Sequence, residues 1–223
     1  MFMKGWFRGA YERMDARFGD LRWWPAETAF EMAVGSILTQ NTAWKNVERA
    51  VAGLKRAELL DPHRLLTADS KTISEIIRPC GYYNIKTKRL LAFVKFLHDR
   101  YSGSMEVMFR EGTDVLRREL LSVKGIGEET ADSILLYGDD RPVFVVDAYT
   151  RRILERHGVI EKDRRYGDIS RLFMESGEID PSQYNQYHAL LVNTAKHYCR
   201  SKPKCGGCPL SGLEGDVSRE TSD

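Results

Sequence analysis

Residues 121–137 read LSVKGIGEETADSILLY, a G-x-G turn between two segments with helical apolar spacing. Gly125 and Gly127 admit the positive φ and close backbone approach that a side chain would block. Successive N–H groups are then left outward at the start of the second helix, an arrangement that seats a phosphate. An ordinary glycine-closed helix connection is the plainer reading of the same turn. Shortly after it, VFVVDAYTRRILERHG sets Asp147 at a helix start behind an apolar run. There the helix dipole and free N–H groups favour an ionised carboxylate, although capping alone also accounts for an aspartate at that place. Near the end of the chain Cys199, Cys205 and Cys208 form C-x5-C-x2-C. In a reducing compartment, clustered cysteines suggest metal ligation more than disulfides.

The elements that must position these groups are helical. Phe30, Val34, Ile37 and Leu38, then Val47, Val51 and Leu54, then Leu90, Leu91, Val94 and Leu97 recur at 3.6-residue spacing. Leu116, Leu120 and Val123 share one face before the turn, and Ala131, Ile134, Leu135 and Gly138 share one after it. The only β-like run, VFVV at residues 143–146, reads as a buried extended lead into a helix, because a lone strand leaves its backbone unpaired. The expected fold is all-α, with a central helical bundle over residues 28–140 that contains a helix-hairpin-helix at about 114–138. Residues 1–27 and 141–223 are expected to form a second lobe carrying the cysteine loop at 199–208, with a cleft between the lobes. The charges interrupting the first residues exclude an export signal or a membrane span there, so a cytoplasmic location is expected; the protein is also expected to be a monomer. Lys and Arg number 34 against 32 Asp and Glu, so attraction to a polyanion has to come from a local patch.

Several stretches together resemble the helix-hairpin-helix DNA glycosylases related to endonuclease III: ILTQNT (37–42), GYYNIKTKRL (81–90), KGIGEETA (124–131), VVD (145–147) and the C-terminal C-x5-C-x2-CP. RWWP, the aromatic Trp44 two residues after LTQNT, GYYN, and KGIG followed by glutamate are similar to one branch, the endonuclease III-type 3-methyladenine DNA glycosylases. The resemblance covers most of the chain and implies double-stranded DNA containing a damaged base as partner. It makes Asp147 the catalytic carboxylate and Gln40 the residue that fills the gap left by a flipped nucleotide. Asn41, Lys124, Gly125, Ile126, Gly127 and Thr130 join Gln40 as DNA-binding residues, with a monovalent cation at the carbonyls of Leu121, Val123 and Ile126. A flipped base needs a flat pocket, for which Trp23, Trp24, Pro25, Trp44 and Glu129 are the candidates. Indole faces would attract the positive charge of a methylated purine. Lys45, Lys86, Lys88, Arg89, Arg151 and Arg152 are further basic candidates for phosphate contacts.

Glu129 departs from the bifunctional members of the family, which carry an imine-forming lysine at that position. A carboxylate forms no imine, which points to a monofunctional enzyme that needs no cofactor for the chemistry. Glu128 and Glu129 also suit a helix N-terminus electrostatically. The three cysteines resemble the ligands of a [4Fe-4S] cluster with the fourth thiolate missing, and Glu214 and Asp216 are oxygen donors within reach. A degenerate, cluster-free loop is the rival, and zinc held with His197 is a third option. The other functional readings are an endonuclease III-like glycosylase or lyase for oxidised, deaminated or mismatched bases, and a non-catalytic hairpin protein.

Overall fold

A computed structural model describes residues 5–213. The described residues contain no strand, and none of their helices is long and apolar enough to cross a membrane. Along the chain the helices are α1 (Trp6–Phe18), α2 (Ala29–Leu38), α3 (Trp44–Arg56), α4 (Pro62–Thr67), α5 (Ser70–Ile76), α6 (Tyr83–Tyr101), α7 (Met105–Met108), α8 (Thr113–Ser122), α9 (Glu128–Asp139), α10 (Ala148–Arg156), α11 (Tyr166–Glu175) and α12 (Tyr184–His197). The architecture is the expected all-α, two-lobed helix-hairpin-helix fold. One compact unit spans Trp24–Asp139, and the other is built from the stretches that precede and follow it.

In the Trp24–Asp139 unit, α2 is buried along its whole length from Phe30 to Leu38, as an all-round apolar helix must be. It packs against α9, α3 and α6. Thr28 starts it by accepting the Glu31 N–H at 3.1 Å. Asp61 and Asp69 start α4 and α5 in the same way. A buried ammonium ties two segments of this unit together. Lys86, on α6, is 1% exposed and donates from Nζ to the carbonyls of Leu38 at 2.9 Å and Cys80 at 2.8 Å. The expectation that Lys86 meets a DNA phosphate is therefore corrected, because its ammonium is spent on the end of α2 and the turn before α6.

In the other unit α1 packs on α12, and α10 also packs on α12. Phe144 stacks on Phe173 with centroids 3.6 Å apart, and Phe7 lies 4.7 Å from Phe173. VFVV is buried, as expected, and lies outside any helix or strand. Side chains supply the hydrogen bonds a sheet would have given it: Ser170 Oγ donates to the Phe144 carbonyl at 2.8 Å, and Tyr166 Oη accepts the Val146 N–H at 3.3 Å. Pinned by these bonds, the run delivers Asp147 to the start of α10.

Replacing Lys86 with Met should keep the stem packed while stranding two buried carbonyls, a loss of about 1–3 kcal/mol. Burial outweighs its other influences and holds Lys86 below the usual lysine range, with the nearby Cys80 thiol acting the other way. Between that lowered value and the unfolded value near ~10.4, the unfolded chain binds more protons, so wild-type stability should gain with rising pH. Chemical denaturation of both proteins across the alkaline range checks this, and the gain should be missing from Lys86→Met.

Candidate active site

Asp147 occupies the N-cap of α10, where its Oδ1 accepts the Thr150 N–H at 2.7 Å. Capping is therefore one thing it does, and its surroundings add more. His188, from α12, is 5% exposed and brings Nε2 to 3.8 Å from the same Oδ1. The Trp23 ring lies edge-on to His188 at 6.5 Å, and Lys196 Nζ sits 5.5 Å over Trp23. Burial pushes the Asp147 carboxyl upward, but His188 and the Thr150 N–H outweigh it and hold the group below the usual carboxylate range. The result is a half-buried carboxylate kept ionised. Sequence reasoning missed His188, since one histidine on the buried stripe of a helix carries no local mark of its partner.

The hairpin forms as its sequence requires, with α8 ending before the turn and α9 beginning at Glu128. Of the two glycines only Gly125 does the expected work. Gly125 has φ +95° and no room for a Cβ, which would lie 2.3 Å from Arg89 Cγ. Gly127 is not among the positive-φ residues, and a Cβ there would meet nothing within 4 Å. Gly125 thus serves conformation and packing, whereas Gly127 leaves open space above the turn. Lys124, Glu128 and Glu129 are exposed and Ile126 is buried. Asp132 receives the Arg117 guanidinium in two bonds of 2.6 and 3.0 Å, with Glu128 Oε1 at 3.7 Å from Arg117. Arg117 therefore neutralises Asp132 and approaches Glu128.

Gln40 and the exposed Asn41, at φ +53°, follow α2. Gln40 Nε2 donates to the Gly125 carbonyl at 3.2 Å and to Thr130 Oγ1 at 2.9 Å. Trp24, Pro25 and Trp44 line a cavity of about 200 Å³ together with Glu31, Glu48 and Lys55. Trp24 has the strained φ of +64°, stacks on Tyr137 at 5.1 Å and meets Trp44 edge-on at 5.0 Å. Neither Trp23 nor Glu129 lines this cavity. The adjacent tryptophans of RWWP thus diverge, Trp23 toward His188 and Trp24 toward Trp44.

The metal expectations are corrected. Among the described residues no group of three or more His, Cys, Asp or Glu side chains converges to hold a metal ion. Cys199 is buried with Arg156 Nη1 3.3 Å from its Sγ, while Cys205 is exposed. Burial pushes the Cys208 thiol up. Glu214 and Asp216 lie outside the described residues. Guanidinium bonds hold the loop in place: Arg152 Nε donates to the Cys199 carbonyl at 2.7 Å and Arg156 Nη1 to that of Arg200 at 2.6 Å. At the hairpin the Val123 carbonyl accepts the Ile126 N–H at 3.0 Å.

Replacing His188 with Gln should move Asp147 upward, a shift readable by carboxyl-carbon NMR titration. A titration that does not move would assign the depression to the cap alone. A depressed folded pKa stabilises the protein above the unfolded value near ~3.9 and loses that contribution as pH falls through the folded value. Wild type should therefore resist acid further than the variant.

The family model described as HhH-GPD superfamily base excision DNA repair protein matches residues 34–178. A protein of Methanocaldococcus jannaschii, provisionally named as a DNA repair glycosylase, is 49% identical over 86% of this chain and 88% of its own length. A thymine/uracil-DNA glycosylase of Pyrobaculum aerophilum is 27% identical over 92% of this chain and 88% of its own. Among solved structures, the H. pylori 3-methyladenine DNA glycosylase bound to 1,N6-ethenoadenine superposes with a TM-score of 0.73. It is 28% identical, over 84% of this chain and 97% of that one. These relatives do not single out the 3-methyladenine branch. The coarser assignment is plain: the chain belongs to the HhH-GPD superfamily of base excision DNA repair proteins and is a DNA glycosylase acting on damaged bases in duplex DNA.

Proposed function

We propose that this glycosylase is of the endonuclease III type, removes deaminated or mismatched bases, and does so by hydrolysis with Asp147. The observation that carries the chemistry is a half-buried carboxylate at the start of α10, bonded to the Thr150 N–H and 3.8 Å from His188 Nε2, which together favour its ionised form. As a glycosidic bond breaks, positive charge grows on the sugar, and a preorganised anion stabilises it. Water then supplies the oxygen bonded to the sugar carbon, and the base departs with the bonding electron pair and takes up a proton. Glu129 carries no amine with which to replace that water. The likeness to a thymine/uracil-DNA glycosylase supports the choice of substrate. In this reading Gln40 enters the gap beside the flipped nucleotide, and the hairpin around Lys124, Gly125, Ile126, Gly127 and Thr130 takes the phosphate. Asn41 lies beside Gln40 on the DNA side.

One observation favours a second reading, removal of alkylated purines. The cavity walled by Trp24 and Trp44 also carries the carboxylates of Glu31 and Glu48, and both features attract a cationic base. Lys55 works against this, because its Nζ lies 2.9 Å from both Glu27 and Glu31.

Purified protein should be given duplexes each carrying one defined lesion, with base release and strand nicking compared before and after alkali. Release from uracil or mismatched thymine, with nicking only after alkali and no borohydride trapping, is the expected result. Faster release of methylated purines, with losses in Trp24→Ala and Trp44→Ala confined to charged bases, would favour the second reading. Robust trapping would overturn the hydrolytic route. Asp147→Asn should fold and bind duplex normally yet lose at least about a hundredfold in single-turnover release. Turnover close to wild type would remove Asp147 from the chemistry.

A further inference from the structure

The side chain of Gln40 is fully engaged within its own unit. Its Oε1 accepts from Arg89 Nη1, and its Nε2 donates at 3.2 Å to the Gly125 carbonyl and at 2.9 Å to Thr130 Oγ1. An arginine has no acceptor, so the amide must turn its oxygen toward Arg89, and this orientation sends both N–H bonds into the hairpin. The arginine is wedged as well as bonded. Its stem runs where a Cβ of residue 125 would lie, 2.3 Å from Cγ and 2.8 Å from Cδ, so hairpin backbone and Arg89 touch directly. One turn earlier on α6, Lys86 holds the Leu38 carbonyl. Residues three apart share a helix face, so α6 grips the end of α2 and the segment after it with two successive cations.

We propose that Arg89 is a positioning residue for base removal: it fixes the amide of Gln40 against the hairpin turn, so that phosphate capture and insertion of Gln40 occur in register. This rests on the reading of Gln40 as the gap-filling residue. A lone Gln40 side chain sampling many rotamers would pay its ordering entropy at the moment of insertion. Arg89 removes most of that freedom beforehand, and the hairpin that seats the phosphate supplies the other partners. A bland alternative exists for a half-buried arginine near a phosphate site, namely a direct phosphate contact, and it makes opposite predictions.

The test is a double-mutant cycle of Arg89→Met and Gln40→Ala. It is read as single-turnover base release from whichever lesion duplex wild type processes fastest, beside duplex affinity as a function of salt. Each single variant should slow release about tenfold, and adding Arg89→Met to Gln40→Ala should slow it no further. The salt slope of binding should match wild type, and Arg89→Lys, which retains a donor for Gln40 Oε1, should recover part of the rate. Additive losses, or a salt slope shallower by about 0.9, would overturn the proposal and make Arg89 a phosphate contact. Undiminished release by Gln40→Ala would reject the gap-filling reading and this proposal with it, while leaving the role of Asp147 untouched. Should Arg89→Met fail to fold, Thr130→Val removes another partner of the same amide and should show the same non-additivity with Gln40→Ala.

Discussion

Lys86 carries a positive charge into the interior of the Trp24–Asp139 unit, where it meets the carbonyls of Leu38 and Cys80. The last carbonyls of a helix lack intrahelical partners and gather the negative end of its dipole, so an ammonium there answers two needs at once. Desolvating the charge works against the fold, and hydrogen bonds to both oxygens offset that burden. With the end of α2 held, the segment carrying Gln40 and Asn41 leaves the helix at a defined place. Arg89, Gly125 and Thr130 can then share the Gln40 amide.

The hairpin carries an electrostatic conflict. Helix α9 begins with Glu128 and Glu129, which suit its dipole and would repel a polyanion. Arg117 answers the charge locally by bonding Asp132 in two places and approaching Glu128. Asp132 is buried, so screening by solvent does little to weaken this pair. Gly127 then keeps the turn low, and Lys124 stays exposed beside it.

The flanking unit holds its polar groups by a different logic. Asp147 is carried at the end of an extended run that borrows hydrogen bonds from Tyr166 and Ser170, and His188 reaches it from α12. Arg152 and Arg156, on the helix that Asp147 caps, extend to the cysteine loop and bond its carbonyls. Arginine forks can organise a loop of this kind because each offers several donors in fixed directions. Arg151 likewise turns inward, to the Arg164 carbonyl at 2.6 Å. Of the basic residues named from sequence, those on α10 therefore serve the fold to a degree that their charge does not reveal.

Local patterns in the sequence determined the helices, the hairpin, the buried extended run and the place of Asp147. Each depends on spacing, capping or glycine within one turn of chain, and the apolar periodicity of α2, α3 and α6 follows from which faces must leave water. The superfamily was legible too, because its motifs lie in short stretches. Tertiary structure decided which polar groups meet. Nothing in a single helix tells that Lys86 is buried and Lys88 exposed, since both read as cations on one amphipathic segment and only the arrival of α2 at one of them separates the two. The same holds for His188 beside Asp147, for Arg89 against Gly125, and for the parting of Trp23 from Trp24. The cysteine spacing suggested a cluster because one-dimensional order carries no distance, and convergence of ligands is a property of three dimensions alone.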